Sequence, residues 1–218
     1  MGYTRPMTPK QIRSLFARLA QANPHPETEL EYASPFQLLV AVVLSAQATD
    51  KSVNLATRDL FRDAPTAAAL AALGEEGIAP YIRTIGLYKT KAKNVAGLAR
   101  QIMEQHGGEV PRQRAALEAL PGVGRKTANV VLNIVFGEPT IAVDTHIFRV
   151  ANRTGLAPGK DVVAVENRLL KAVPAEFRQH AHHWLILLGR YTCKARKPDC
   201  GACAIADLCE FPEKNVQS

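Results

Sequence analysis

With 218 residues and 47% hydrophobic side chains, the chain has enough apolar material for one large core or two small ones. Lys and Arg outnumber Asp and Glu by 27 to 20, a net charge of +7, so the surface attracts polyanions. No run approaches the roughly eighteen apolar residues of a membrane span, and Met1-Gly2-Tyr3-Thr4-Arg5-Pro6 has no apolar leader, so the expectation is a soluble, cytoplasmic protein.

Apolar residues recur at spacings of three and four from end to end, and alternating patterns are scarce, so the expected fold is all-α. Thr8-Pro9-Lys10-Gln11 supplies a capping hydroxyl, a proline at the first helical position and a glutamine three residues after the cap. It opens a helix whose apolar stripe is Ile12, Leu15, Phe16 and Leu19, and Asn23-Pro24-His25-Pro26 ends it. Ser34-Pro35-Phe36-Gln37 repeats the start signal. The run 38–44 is apolar all round, which marks a central, buried helix. Helices follow over 50–62, 66–73, 75–84 and 90–106, with Gly74 and Gly107-Gly108 as stops. A short helix is expected over 112–119 and a longer one over 125–136. The last three fall over 144–153, 161–173 and 175–190.

Leu120-Pro121-Gly122-Val123-Gly124 joins two of these helices, and Arg125-Lys126-Thr127 opens the second. Glycines let the backbone approach a ligand, and the free N–H groups of a helix start can seat a phosphate oxygen. Alone the motif is a tight turn. Followed at once by Arg125 and Lys126 in a basic all-α chain, it reads as a contact to DNA backbone that carries no sequence information. Lys126 has two local readings. It is either a phosphate-contacting lysine or, with the helix dipole, Arg125 and partial burial all disfavouring the ammonium, a nucleophile able to form a Schiff base. Asp144 in Val143-Asp144-Thr145-His146 is an N-cap by position; a rigidly mounted carboxylate near a reacting sugar is compatible with that role.

All four cysteines fall in the last quarter: Cys193, Cys200, Cys203 and Cys209, spaced C-x6-C-x2-C-x5-C. This points to a segment organised by metal rather than by a core of its own. Disulfides are disfavoured without a route to an oxidising compartment. Only Cys200 and Cys203 have the close spacing of a zinc knuckle, whereas an iron–sulfur cube tolerates longer loops. Spacing alone leaves zinc and iron–sulfur level.

Three motifs in order resemble the endonuclease III family, the helix-hairpin-helix DNA glycosylases with an iron–sulfur loop. They are Leu120-Pro121-Gly122-Val123-Gly124-Arg125-Lys126-Thr127-Ala128, Val143-Asp144-Thr145-His146 and the cysteine tail. Leu44-Ser45-Ala46-Gln47-Ala48-Thr49-Asp50 and Ile85-Gly86-Leu87-Tyr88 match the same pattern, and no motif position departs from it. The resemblance runs from about Asn23 to Cys209. It implies a six-helix barrel lobe over 28–138 and an iron–sulfur lobe formed by 1–27 and 139–218, with damaged double-stranded DNA across the cleft between them, faced by Lys126 and Asp144. It implies one 4Fe–4S cluster on the four cysteines, no nucleotide cofactor and a monomer in the cytoplasm, at the nucleoid in a bacterium.

The activity implied is excision of oxidised pyrimidines followed by β-elimination at the abasic site. Lys126 would be the Schiff-base nucleophile and Asp144 the stabiliser of positive charge. DNA contacts would come from Gln47, Leu87, Gly122, Gly124, Arg125, Thr127, Arg196 and Lys197. Gln47 would fill the hole left by a flipped base, and Leu87 would wedge into the opposite strand; without the family, Leu87 reads as a core leucine. Asp50 and His146 would contact the base. Arg196 and Lys197 otherwise form a solvated basic loop. Two rivals remain. One is a monofunctional glycosylase, adenine-specific for instance, whose relatives lack lysine at position 126. The other is a non-catalytic iron–sulfur module for DNA binding or electron transfer.

Overall fold

The computed structural model describes residues 5–215, and every regular element among them is helical. The chain divides into two compact units. One runs from Glu29 to Gly137; the other combines the residues up to Thr28 with Glu138 onward.

The unit 29–137 carries six helices: α2 (Pro35–Leu44), α3 (Asp50–Asp63), α4 (Ala67–Ile82), α5 (Tyr88–His106), α6 (Arg114–Glu118) and α7 (Arg125–Phe136). Residues 36–44 of α2 are all buried, and α2 packs against α3, α5 and α7, so the run that is apolar on every side forms the centre of this unit. Ser34 caps α2 by accepting from Gln37 N at 3.2 Å. The helices expected on either side of Gly74 join across it in α4, with Gly74 leaving helical geometry at φ 63°, ψ −177°. Helix α5 begins two residues earlier than the sequence signals placed it, because Leu87 turns left-handed and Tyr88 follows directly as the first helical residue.

In the other unit lie α1 (Pro9–Ala22), α8 (Thr145–Thr154), α9 (Val162–Ala172) and α10 (Arg178–Leu187). The reciprocal cap at Thr8 forms as expected: Gln11 N donates to Thr8 Oγ1 at 3.3 Å, and Thr8 N donates to Gln11 Oε1 at 2.8 Å. Leu15, Phe16, Ile147, Val150 and Leu185 build the core. The rings of Phe16, Phe177 and Trp184 cluster at centroid separations of 6.0, 6.3 and 6.2 Å. Trp184 Nε1 donates to Asn23 O at 2.8 Å, which ties α10 to the end of α1.

The single helix expected over 175–190 is instead three pieces: a 3-10 turn at Ala175–Phe177, α10, and a wider π-type turn at Leu188–Thr192. The widened turn closes on a bond five residues back and lies tight against α8. Cys193 N donates to Leu188 O at 2.7 Å, and Gly189 approaches α8 so closely that a Cβ there would stand 2.8 Å from His146 Cβ. The cysteine segment is also not organised by metal alone. Ile205 is fully buried, and Cys193, Cys203 and Leu208 pack against the core of this unit. No helix among the described residues is long and apolar enough to cross a membrane.

His183 on α10 is 8% exposed, and its buried Nδ1 has no hydrogen-bond partner. Burial, aided by the nearby His180, pushes its pKa from 6.5 down to about 4. The unfolded chain therefore binds a proton below pH 6.5 that the folded chain refuses until about pH 4, so this residue makes stability fall as pH drops through that window. The full effect is on the order of 3 kcal/mol. Denaturant unfolding between pH 7 and 4.5 should show a steeper loss for wild type than for His183→Phe; equal slopes would exclude the effect.

Candidate active site and metal centre

In the unit 29–137, three expected DNA-contacting segments converge on α2 and α5. The hairpin turn puts Gly122 at φ 77°, where a Cβ would lie 3.0 Å from Asn94 Cβ and 3.2 Å from Val43 Cγ1. Glycine is thus required twice over, by backbone conformation and by contact. A Cβ on Gly97 of α5 would likewise meet Pro121 Cγ at 3.2 Å. Gly124 differs: nothing lies within 4 Å of where its Cβ would be, so its smallness leaves open space rather than relieving a clash. It is the N-cap of α7 and offers no side-chain bond to the N–H groups of the first turn. Arg125 and Lys126 on that turn are exposed, and Thr127 is half-buried. The partial burial expected of Lys126 is therefore not provided, because no part of its own unit covers the side chain.

Gln47 and Leu87 are the two non-glycine residues with positive φ among the described residues, at 56° and 60°. For such side chains the left-handed region is strained, by about 1–2 kcal/mol each. Leu87 is also 64% exposed, which overturns its reading as a core leucine. Both thus combine a strained backbone with an exposed side chain. Helix α5 joins two of the segments: it starts beside Leu87 and meets the hairpin at Asn94, about 10 Å further along at 1.5 Å per residue. Asp50 is half-buried at the start of α3. One residue escaped the sequence reading. Lys91, a turn beyond Leu87, is 5% exposed, its amine has no hydrogen-bond partner, and burial pushes that amine below the usual lysine range.

Asp144 and His146 belong to the other unit. Asp144 is half-buried and caps α8, its Oδ1 accepting from His146 N at 2.9 Å and Ile147 N at 2.8 Å. His146 Nδ1 lies 3.2 Å from Arg149 Nη2. Arg149 also donates to Gly189 O at 2.8 Å and to Cys193 O at 2.9 Å. Neither Arg149 nor Gly189 stands in a recognisable motif, although both fix the surroundings of His146.

The four cysteines are half-buried and free of disulfides. They line one small pocket with Arg153, Leu188, Ile205 and Phe211 among its walls. Burial, with a smaller push from the other cysteines, raises the thiols of Cys203 and Cys209 above the usual range. Four thiolates in such a place need a positive centre, so the donor set fits a metal-based group. Among the described residues, no three His, Cys, Asp or Glu side chains are close enough to hold a single metal ion. Lys194, Arg196 and Lys197, on the loop between Cys193 and Cys200, are exposed.

Residues 40–175 match the HhH-GPD superfamily of base excision DNA repair proteins, and 193–209 match the iron–sulfur binding domain of endonuclease III. Endonuclease III of Escherichia coli K12 is 66% identical over 200 residues, spanning 92% of this chain and 95% of that protein. The chain belongs to the endonuclease III family. The Haemophilus influenzae endonuclease III is 64% identical over the same share of each. A trapped endonuclease III–DNA covalent intermediate matches with a TM-score of 0.89 at 44% identity, covering 97% of this chain and all 100% of that one. A non-covalent endonuclease III–DNA complex gives 0.87 at 45%, covering 93% and 95%. Membership in this family makes the pocket of four thiols an iron–sulfur site.

Two substitutions test the endonuclease III geometry of the unit 29–137. Leu87→Asn keeps an exposed side chain but relieves left-handed strain, so melting should rise by about 1–3 °C while excision falls; a lower melting temperature would show that the leucine is not strained. Gly122→Ala should cost about 1–3 kcal/mol in denaturant unfolding, and a loss under half that would mean the turn relaxes freely.

Proposed function

We propose that the chain removes oxidised pyrimidines from double-stranded DNA and cuts the strand 3′ to the resulting abasic site, with Lys126 as nucleophile and Asp144 as the stabilising carboxylate. The class of activity is that of its family: a DNA glycosylase and abasic-site lyase of base excision repair. The observation that carries the assignment of Lys126 is its setting, an exposed amine in the first turn of a helix with no side-chain cap, directly behind a glycine hairpin.

The hairpin amides and the first turn of α7 suit a phosphate oxygen, with Gly122, Gly124, Arg125 and Thr127 positioning the strand. A damaged base stacks poorly and flips at lower cost. Leu87 then wedges into the stack and Gln47 fills the vacated space, both already in the conformations that expose them. The lone pair of the Lys126 amine attacks C1′, and the C1′–N bond breaks as the base leaves, taking up the proton that the attacking nitrogen gives up. Asp144 offsets the positive charge that grows on the sugar; its two backbone bonds fix the direction in which the carboxylate acts. The C1′–O4′ bond then opens, O4′ taking up a proton, and the iminium left at C1′ acidifies the C2′ hydrogen. Loss of that proton expels the 3′ phosphate, and water later releases Lys126. Covalent trapping of an endonuclease III on DNA is consistent with this route.

Cys193, Cys200, Cys203 and Cys209 would hold a 4Fe–4S cluster. Four thiols lining one pocket, in a segment that matches an iron–sulfur binding domain, support that assignment. When bound, the cluster supplies the positive charge that keeps four thiolates together and orders the loop carrying Arg196 and Lys197 for phosphate contact. Asp50 and His146 are assigned to the base. The two units serve as the helix-hairpin-helix lobe and the iron–sulfur lobe of a monomer that works on DNA in the cytoplasm.

Borohydride treatment on DNA containing an abasic or thymine-glycol site should trap wild type covalently and leave Lys126→Gln untrapped. An adduct with the variant would move the nucleophile elsewhere, and no adduct with either would favour a non-catalytic DNA-binding module. Asp144→Asn keeps a good helix cap, so melting should hold while single-turnover excision slows by about a hundredfold; unchanged excision would reduce Asp144 to a cap.

A further inference from the structure

Arg153 lies in the last turn of α8, forty residues before the first cysteine and outside the cysteine motif. Its guanidinium nevertheless touches both ends of the cysteine segment. Nη1 approaches Cys193 Sγ at 3.6 Å and donates to Lys194 O at 2.8 Å, while Nη2 donates to Ala195 O at 3.0 Å. The same group lies 4.8 Å from the ring centroid of Phe211, two residues past Cys209. Arg153 also lines the pocket shared by the four thiols.

Three physical consequences follow. A fork of N–H donors fixed on two successive carbonyls sets the position of Cys193, because the backbone leaving that residue has no freedom to swing. A positive N–H donor at a ligand sulfur favours the state with more negative charge on the metal centre, which raises a reduction potential. The ring of Phe211 braces the guanidinium on its other side and closes the C-terminal flank of the pocket. A lysine could keep the charge but could supply neither the planar fork nor the stacking.

We propose that Arg153 is a positioning residue of the iron–sulfur centre: it holds Cys193 in place, raises the potential of the cluster and slows its oxidative loss. The proposal rests on the four cysteines carrying an iron–sulfur cluster. Iron analysis of the wild type tests that premise first and separately; wild type without iron removes the proposal with its premise.

Given iron in the wild type, the holoproteins of Arg153→Gln and Arg153→Lys are compared with it, free of DNA, by two readouts. One is the decay of visible cluster absorbance during oxidation by ferricyanide. The other is the midpoint potential from direct electrochemistry. Arg153→Gln should lose the cluster several-fold faster and shift the potential to a more negative value. Arg153→Lys should recover part of the potential and keep the faster loss. If Arg153→Gln accumulates too little iron to measure, Phe211→Leu, which leaves the guanidinium bonds and removes only the brace, should show faster loss than wild type. Wild-type decay and potential in both Arg153 variants, or in Phe211→Leu where it replaces them, would overturn the proposal. So would a lower melting temperature with both readouts unmoved, because that is the signature of a purely structural arginine.

Discussion

Four thiolates cannot share a half-buried pocket unless positive charge is brought to them. Burial and mutual repulsion both drive the thiols of Cys203 and Cys209 toward the protonated form, so the folded segment without a cationic centre is in conflict with its own ligands. An iron–sulfur cluster resolves that conflict, and the surrounding protein is built to receive it. Ile205 anchors the segment in the apolar core, Leu188 O binds the backbone entering Cys193, and two arginines of α8 hold the backbone leaving it. Metal and core are therefore complementary restraints on one loop: the core fixes where the loop sits, and the charge of the cluster fixes how its sulfurs converge.

A different constraint governs the unit 29–137. Its business end is strained at Gln47 and Leu87, and strain of that kind persists only where the surroundings over-determine it. The fully buried helix α2 supplies the rigid frame, and its Val43 packs on the hairpin at Gly122. Helix α5 carries Leu87 at one end and receives the hairpin two turns later through Asn94 and Gly97. Exposing a leucine and twisting it into the left-handed region both oppose folding, so neither feature is explained by stability. On the proposed reading, the wedge and the hairpin are two contacts to one DNA molecule, and α5 holds them at a fixed spacing.

Much of this could be read from the residues because the signals are local. Thr8 and Ser34 announce helix starts through side chains that bond three residues ahead, and Gly107 and Gly137 end helices in the left-handed conformation that glycine allows. The hairpin and the cysteine spacing are equally short-range. What escaped was long-range. Arg153 meets Cys193 forty residues away, Arg149 meets Gly189 at the same separation, and neither arginine has a distinctive neighbourhood in the sequence. Nothing in the composition of 175–190 forbids a continuous helix; the π-type turn coincides with the close approach of α8 to Gly189, which composition does not reveal. Leu87 was ambiguous for a related reason. A leucine after Ile85-Gly86 looks like core, and only three-dimensional packing shows it turned outward.

The two residues assigned to chemistry sit at comparable places, the N-terminal ends of α7 and α8, yet the N-caps differ in kind. At α8, Asp144 Oδ1 accepts from the N–H groups of His146 and Ile147, so that helix end covers two of its donors with its own carboxylate and presents that group in a fixed direction. At α7, Gly124 brings no side-chain acceptor, so no cap side chain stands between that helix end and a ligand beside Arg125 and Lys126. Exchanging the two caps would reverse both properties: a carboxylate at position 124 would repel the phosphate, and a glycine at 144 would leave a sugar cation without its counter-charge. Cap identity thus separates strand binding from charge stabilisation. On the proposed reading, the end of α7 seats the polyanion next to the attacking amine, and the end of α8 supplies the carboxylate.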